Sequence, residues 1–132
     1  MAVIRLSLDT SGYSRLMRGR PKLRARLESA DEILLSATML GEVYAGFQGG
    51  TRLEENLSLL AAFRRQPGVV IVDTTENVAE RYAAIVAILK RQGTPIPTND
   101  IWIAAAALEN GGRMVAYDSH FEAVPGLIVE AP

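Results

Sequence analysis

Asp9, Glu42, Asp100 and Asp118 are the side chains from which this chain could build a reaction centre. Three of them stand at the boundary of an apolar stretch. Asp9 follows Val3-Ile4-Arg5-Leu6-Ser7-Leu8, Asp118 follows Arg113-Met114-Val115-Ala116-Tyr117, and Asp100 opens the run from Ile101 to Leu108. Taken singly, each has an ordinary role. Asp100 complements a helix dipole, worth roughly 0.3–1 kcal/mol, and Asp118 suits a turn. Brought together, they cannot all stay ionised without a counter-charge. Two carboxylates about 4 Å apart repel by roughly 4 kcal/mol at an effective dielectric of 20, so protons or a cation must join them. Hard oxygen donors that leave room for water favour Mg²⁺ or Mn²⁺. A metal held that way can polarise a phosphoryl oxygen and lower the pKa of water.

Composition narrows the chemistry further. The chain has no cysteine, which removes disulfides and thiolate zinc sites and agrees with a cytoplasmic home. It has one histidine, His120, so multi-histidine metal sites are excluded and Ser-His-Asp chemistry has little to work with. Beside Asp118, His120 could touch a phosphate, but it reads as an exposed loop residue. At 132 residues and 48% apolar content the chain is expected to be one domain over residues 1–132, with a real core. No apolar run approaches the roughly 20 residues of a membrane span, and the short apolar start at Ala2 to Leu8 is a strand rather than a leader peptide.

The elements that must position the acids alternate in type. Val3 to Leu8 reads as a first strand, broken by Thr10-Ser11-Gly12, with short helices over Tyr13 to Arg18 and Pro21 to Ser29. Glu32 to Ser36 is a second strand. Thr38 then caps a helix through Phe47, with Met39, Leu40, Val43 and Phe47 on its apolar stripe. Glu42 lies on another face with Ala45, Gly46 and Gly49, a face so bare that something is expected to approach it closely. Thr51 to Glu54 matches a capping box for a helix to Arg65. Gly68 to Val72 is a third strand, and Thr75 to Arg91 a long helix stopped by Gly93. Thr98 or Asn99 caps the helix through Leu108, Gly111-Gly112 ends it, and strands follow at Arg113 to Tyr117 and Leu127 to Val129. Buried strands alternating with helices predict a three-layer α/β/α sandwich on a mostly parallel sheet. Sites in such sheets form beyond the carboxyl ends of the strands, where Asp9 and Asp118 both stand.

Charge is nearly balanced at −1 overall, but cations concentrate between Arg15 and Arg26 with no acid among them. Arg15, Arg18, Arg20, Lys22 and Arg24 are therefore candidates for contacts to a nucleic-acid backbone, against the alternative of a solvated helical face. Because the run begins just after Asp9, it is expected to flank the acidic site.

The ordered set resembles the PIN-domain family, in the form found in VapC-type toxins of bacterial VapBC toxin–antitoxin modules. The resemblance rests on Asp9-Thr10-Ser11 after a first strand, Glu42 ahead of Gly46, Thr98-Asn99-Asp100 opening Ile101-Trp102-Ile103-Ala104-Ala105, and Asp118 with Phe121 beyond it. It spans essentially the whole chain. It implies a Mg²⁺- or Mn²⁺-dependent endoribonuclease with Asp9, Glu42, Asp100 and Asp118 as catalytic metal ligands. Thr10, Ser11, Thr98 and Asn99 would be supporting polar groups. It also implies an RNA substrate, a homodimer and a VapB-type antitoxin. The chain departs from many relatives at Ala116, where a threonine often stands two residues ahead of the last acid.

Other readings are weaker. Phosphoaspartate chemistry of the haloacid-dehalogenase type needs a second aspartate two residues after the first, and Ser11 stands there. A catalytically inactive RNA-binding or scaffolding domain need not keep all four acids.

Overall fold

The structure, a computed structural model, describes residues 2–132. Its elements are β1 (Arg5–Leu8), α1 (Thr10–Met17), α2 (Pro21–Glu28), β2 (Glu32–Ser36), α3 (Ala37–Gln48) and α4 (Leu53–Arg64). Then come β3 (Val69–Val72), α5 (Glu76–Gln92), α6 (Thr98–Glu109), β4 (Arg113–Val115), a 3₁₀ turn (Ser119–Ala123) and β5 (Val129–Glu130). The strands lie in the order β3-β2-β1-β4-β5, and every pair is parallel. The chain first walks outward from β1 to β3, then returns across β1 to lay down β4 and β5. With right-handed crossovers, that reversal puts α1 to α4 on one face and α5 and α6 on the other. The result is a three-layer α/β/α sandwich.

Covering both faces of a sheet demands strands that are apolar throughout. Leu6, Leu8, Leu35, Met114 and Val115 are fully buried, and even Ser7 is 1% exposed. The α6 face is fitted closely. A Cβ on Gly112 would stand 2.9 Å from Leu34 Cδ1 and 3.5 Å from Ser7 Cβ, so a side chain there would have to push Leu34 aside where α6 turns into β4. Ala104 to Ala107, buried in the middle of α6, keep that helix thin enough to lie against the sheet.

Several helix starts differ from the sequence expectation, each for a local reason. Asp9 accepts the Gly12 N–H at 2.6 Å, so Thr10-Ser11-Gly12 forms the first turn of α1 and not a break. Ser36, not Thr38, caps α3 by accepting the Met39 N–H at 3.2 Å. The capping box at Thr51 to Glu54 does not form. Arg52 holds the cap position without a side-chain bond, and Glu54 and Glu55 face the positive end of α4 instead. Neither Thr98 nor Asn99 caps α6, because the extended Pro97 does and both residues already lie inside the helix. At the carboxyl side, β4 ends at Val115 and β5 is Val129–Glu130, short of Tyr117 and one residue past Val129 respectively. The apolar stripe of α3 and the left-handed Gly93 that ends α5 are as expected.

Two contacts tie down the outer strand. Arg26 of α2 grips Glu130 of β5 with bonds of 2.6 and 2.8 Å, and the Tyr117 hydroxyl donates to the Pro132 carbonyl at 2.7 Å.

Candidate functional site

The register of β1 against β4 pairs Leu8 with Val115, so the two strands end side by side at the point where strand order reverses. Asp9 is the first residue past β1 and is 5% exposed. Its Oδ1 takes the Gly12 N–H, and the Ser11 hydroxyl donates to its Oδ1 and Oδ2 at 3.1 and 2.9 Å. The carboxylate is thereby locked. Gly12 makes the lock possible, since a Cβ there would lie 2.9 Å from Asp9 Oδ1 and 3.2 Å from the Val115 carbonyl.

Glu42 reaches the same place from α3. The Thr10 hydroxyl donates to its Oε1 at 2.6 Å, and the Asn99 amide donates to its Oε2 at 3.3 Å. Glu42 is thus joined to the residue after Asp9 and to the residue before Asp100. Asp100 sits in the first turn of α6, half-buried. Asp118 caps the 3₁₀ turn by accepting the His120 N–H at 2.7 Å. The four acids therefore converge, as their order along the chain suggested.

Electrostatics records the convergence. Asp9 titrates above the ordinary carboxylate value of 3.8, chiefly because burial disfavours its charge. The Gly12 N–H and Ser11 hydroxyl work against that shift, and the charges of Asp100 and Asp118 add to it. Asp100 is raised as well, again first by burial. The His120 hydrogen bond lowers it, while Asp118 and Glu42 push it up. Carboxylates raised by burial and further by one another are matched in charge and donor type to a hard divalent cation.

His120 is the residue that sequence reasoning left outside the site. Its Nδ1 lies 2.8 Å from Asp100 Oδ2 and 3.0 Å from Asp118 Oδ1. Asp100, Asp118 and His120 each offer a ligand atom within 4.8 Å of the others. The signal was its spacing: two residues after Asp118, at the start of a turn anchored by the fully buried Phe121. Among the other expected polar groups, Thr10, Ser11 and Asn99 bond the acids directly, whereas Thr98 is exposed and caps nothing. Ala116 is 2% exposed, a methyl group in the core with no hydroxyl to offer the site.

The basic run splits instead of flanking the site as a block. Arg15 and Arg20 lie over the ring of Tyr117, 4.3 and 5.1 Å from its centroid, beside Asp118. Arg18 lines a groove that also holds Thr10 and Glu42. Lys22 is exposed on α2. Arg24 pairs with Glu28 at 3.1 Å and lines a different groove with Asp31 and Gly68, which precede β2 and β3. Arg26 is the structural clamp on Glu130. On the bare face of α3 beside Glu42, no atom of the described residues lies within 4 Å of a Cβ built at Gly46, so the close approach expected there is not seen.

The PIN-domain family model matches residues 6–127. Over 115 residues the chain is 28% identical to Ribonuclease VapC1 of Haemophilus influenzae (strain R2866), covering 84% of each chain. Among solved structures it matches a chain of VapBC2 from Rickettsia felis, bound to a DNA fragment from their promoter. There the TM-score is 0.86 and the identity 23%, over 96% of this chain and 98% of that one, a likeness of fold. It also matches a chain of VapBC-1 from nontypeable Haemophilus influenzae, with a TM-score of 0.84 and 25% identity over 96% and 97% of the two chains. With nearly its full length matched and its acids gathered at the switch point of the sheet, the chain belongs to the PIN-domain family.

Proposed function

We propose that this chain is a divalent-metal-dependent endoribonuclease, the toxin of a type II toxin–antitoxin pair. It acts as a single domain over residues 1–132, in the cytoplasm, as a homodimer held in check by a VapB-type antitoxin. The activity and the antitoxin follow from the relatives, a ribonuclease by name and members of VapBC complexes. Among the described residues no helix is long and apolar enough to cross a membrane. The observation that carries the reading is the Thr10–Glu42–Asn99 bridge, which draws Asp9, Glu42 and Asp100 together from three separate segments.

Asp9, Glu42, Asp100 and Asp118 would hold the cation, Mg²⁺ or Mn²⁺. When bound, it supplies Lewis acidity toward a phosphoryl oxygen and lowers the pKa of water. The chain's own residues do the rest. Ser11 and the Gly12 N–H fix both oxygens of Asp9, and Thr10 with Asn99 fixes both oxygens of Glu42, so the carboxylates need not reorganise when a cation arrives. Arg15 and Arg20, held on the Tyr117 ring, give the rim beside Asp118 a positive edge that draws a phosphate backbone toward an otherwise repulsive acidic site.

The test is RNA cleavage by purified protein with and without Mg²⁺ or Mn²⁺, followed by sequencing of new RNA 5′ ends after brief expression. Cleavage should need the metal and cease with a chelator, and expression alone should arrest growth unless Asp100 is changed to Asn. Full cleavage in chelator defeats the metal mechanism. An inert parent that is folded and metal-loaded supports the scaffold reading instead.

A further inference from the structure

We infer that His120 is a direct metal ligand through Nδ1, making the site a mixed nitrogen–oxygen centre in place of one built from carboxylates alone. The inference rests on the metal-dependent reading above. Nδ1 faces Asp100 Oδ2 at 2.8 Å and Asp118 Oδ1 at 3.0 Å. Ligands at right angles in an octahedral shell, each about 2.1 Å from the metal, stand about 3.0 Å apart. Both distances from the imidazole nitrogen match that edge. Nδ1 is therefore already spaced as a neighbouring vertex to each of the two carboxylate oxygens, and the three donor atoms lie within 4.8 Å of one another.

The ring is held there by its backbone. The His120 N–H is tied to Asp118 Oδ1 at 2.7 Å, and the next residue, Phe121, is fully buried. The backbone anchor brings the ring to the site, and the Asp100 and Asp118 carboxylates orient its Nδ1. As a ligand the ring would be neutral, with its hydrogen on Nε2 and its Nδ1 lone pair directed to the cation.

A nitrogen donor alters which cation the site favours. Imidazole suits first-row transition ions, whereas Mg²⁺ prefers an all-oxygen shell. Mn²⁺ gains from the substitution and Mg²⁺ does not. The preference would then belong to the residue two positions after the last acid.

The decisive measurement is pulsed electron paramagnetic resonance of Mn²⁺ bound to the full, untagged chain, prepared with natural and with ¹⁵N-labelled histidine. His120 is the chain's one histidine, so any imidazole coupling has a single source. The expected result is a directly bound ¹⁴N signal that changes to ¹⁵N on labelling. The variant His120→Asn, which keeps an N–H donor, should lose that signal. It should also bind Mn²⁺ roughly tenfold or more weakly, with Mg²⁺ affinity little changed. Bound Mn²⁺ with no histidine nitrogen coupling overturns the inference and leaves the carboxylate metal site standing. Failure to bind Mn²⁺ at all overturns the metal reading itself, and this inference with it.

Discussion

Thr10 Oγ1 donates to Glu42 Oε1 at 2.6 Å, joining residues 32 positions apart in the chain. The bond links the first turn of α1 to the middle of α3, and the same carboxylate takes the Asn99 amide on its other oxygen. Thr10 thus aims one acid of the site while standing next to another, Asp9. Hydrogen bonds to charged groups contribute roughly 1.5–3 kcal/mol. If that contribution is expressed in the placement of Glu42, Thr10→Val should slow RNA cleavage by about 10- to 100-fold. Thr10→Ser, which restores the hydroxyl, should recover most of it. Single-turnover cleavage at saturating metal, beside melting curves for both variants, checks this. A Thr10→Val protein that cleaves normally would show that Glu42 needs no such support.

Asp9→Asn and Asp100→Asn should abolish cleavage while leaving the metal-free fold intact. Asparagine still caps a helix, so α1 keeps the Gly12 bond. The metal-free variants should be as stable as the parent or more so, because a charge is removed from a repelling cluster. A large drop in melting temperature would reassign that acid to a structural role.

The pH dependence of the same variants follows from the raised titration of Asp9 and Asp100. Between the unfolded value near 3.8 and the higher folded values, the native chain binds more protons than the unfolded one. The stability these groups contribute is therefore full below the unfolded value and lost as pH rises through the folded values. Glu130 behaves oppositely: Arg26 lowers its pKa, so its contribution is present above its unfolded value and lost as pH falls through the folded one. Differencing isolates the site: the stability of metal-free Asp9→Asn minus that of the parent should grow as pH rises from the unfolded value near 3.8 through the higher folded value, then level off. Urea melts at a series of pH values give the curve, and a difference that shrinks with pH contradicts it.

Gly12→Ala should damage both fold and site. The new methyl would meet Leu8 Cδ1 at 2.7 Å, Asp9 Oδ1 at 2.9 Å and the Val115 carbonyl at 3.2 Å. Overpacking of this kind costs about 1–3 kcal/mol. Because one of the clashing atoms is the carboxylate, metal affinity should fall with stability. A variant that loses stability but binds metal as the parent does would show that α1 shifts and Asp9 does not.

The divided basic run makes a prediction about salt. In cleavage-dead Asp100→Asn protein, replacing Arg15 and Arg20 by Gln should weaken binding to single-stranded RNA. The plot of log K against log[salt] should flatten by roughly 0.7 for each phosphate that is no longer neutralised. Arg24→Gln should leave the slope unchanged, since Arg24 lies with Glu28 near the amino ends of the strands. Arg26→Gln should cost stability, about 1–2 kcal/mol for a partly exposed pair, through Glu130. A slope altered by Arg24 and not by Arg15 or Arg20 would move the RNA path to another face.

The acids and the sandwich were legible because both rest on long-range regularities: apolar strands alternating with helices, and acids at the boundaries of those elements. The helix starts were less so. A cap is decided by which hydroxyl or carboxylate the preceding strand delivers: the pattern assigns Ser36 to its strand and marks Asp9 only as an acid past a strand end, so neither reads as a cap. His120 was missed for a related reason. Its position depends on Phe121 being drawn into the core and on Asp118 bonding the turn, and neither is visible from residue types alone. The cations misled because spacing along α1 and α2 says nothing of where two short helices turn, and Tyr117 and Glu130 each captured part of the run.

The return of the chain from β3 to β4 has a consequence for its synthesis. Asp9 is made early, on a strand whose β4 neighbour begins only at Arg113. A nascent chain that has not reached β4 lacks Asp118 and His120 altogether and leaves one edge of β1 unpaired. Asp118 and His120 therefore join the site only after α6 and β4 have been translated. As the ribonuclease proposed above, a chain built this way would be unable to cut the message being translated until Asp118 had been added.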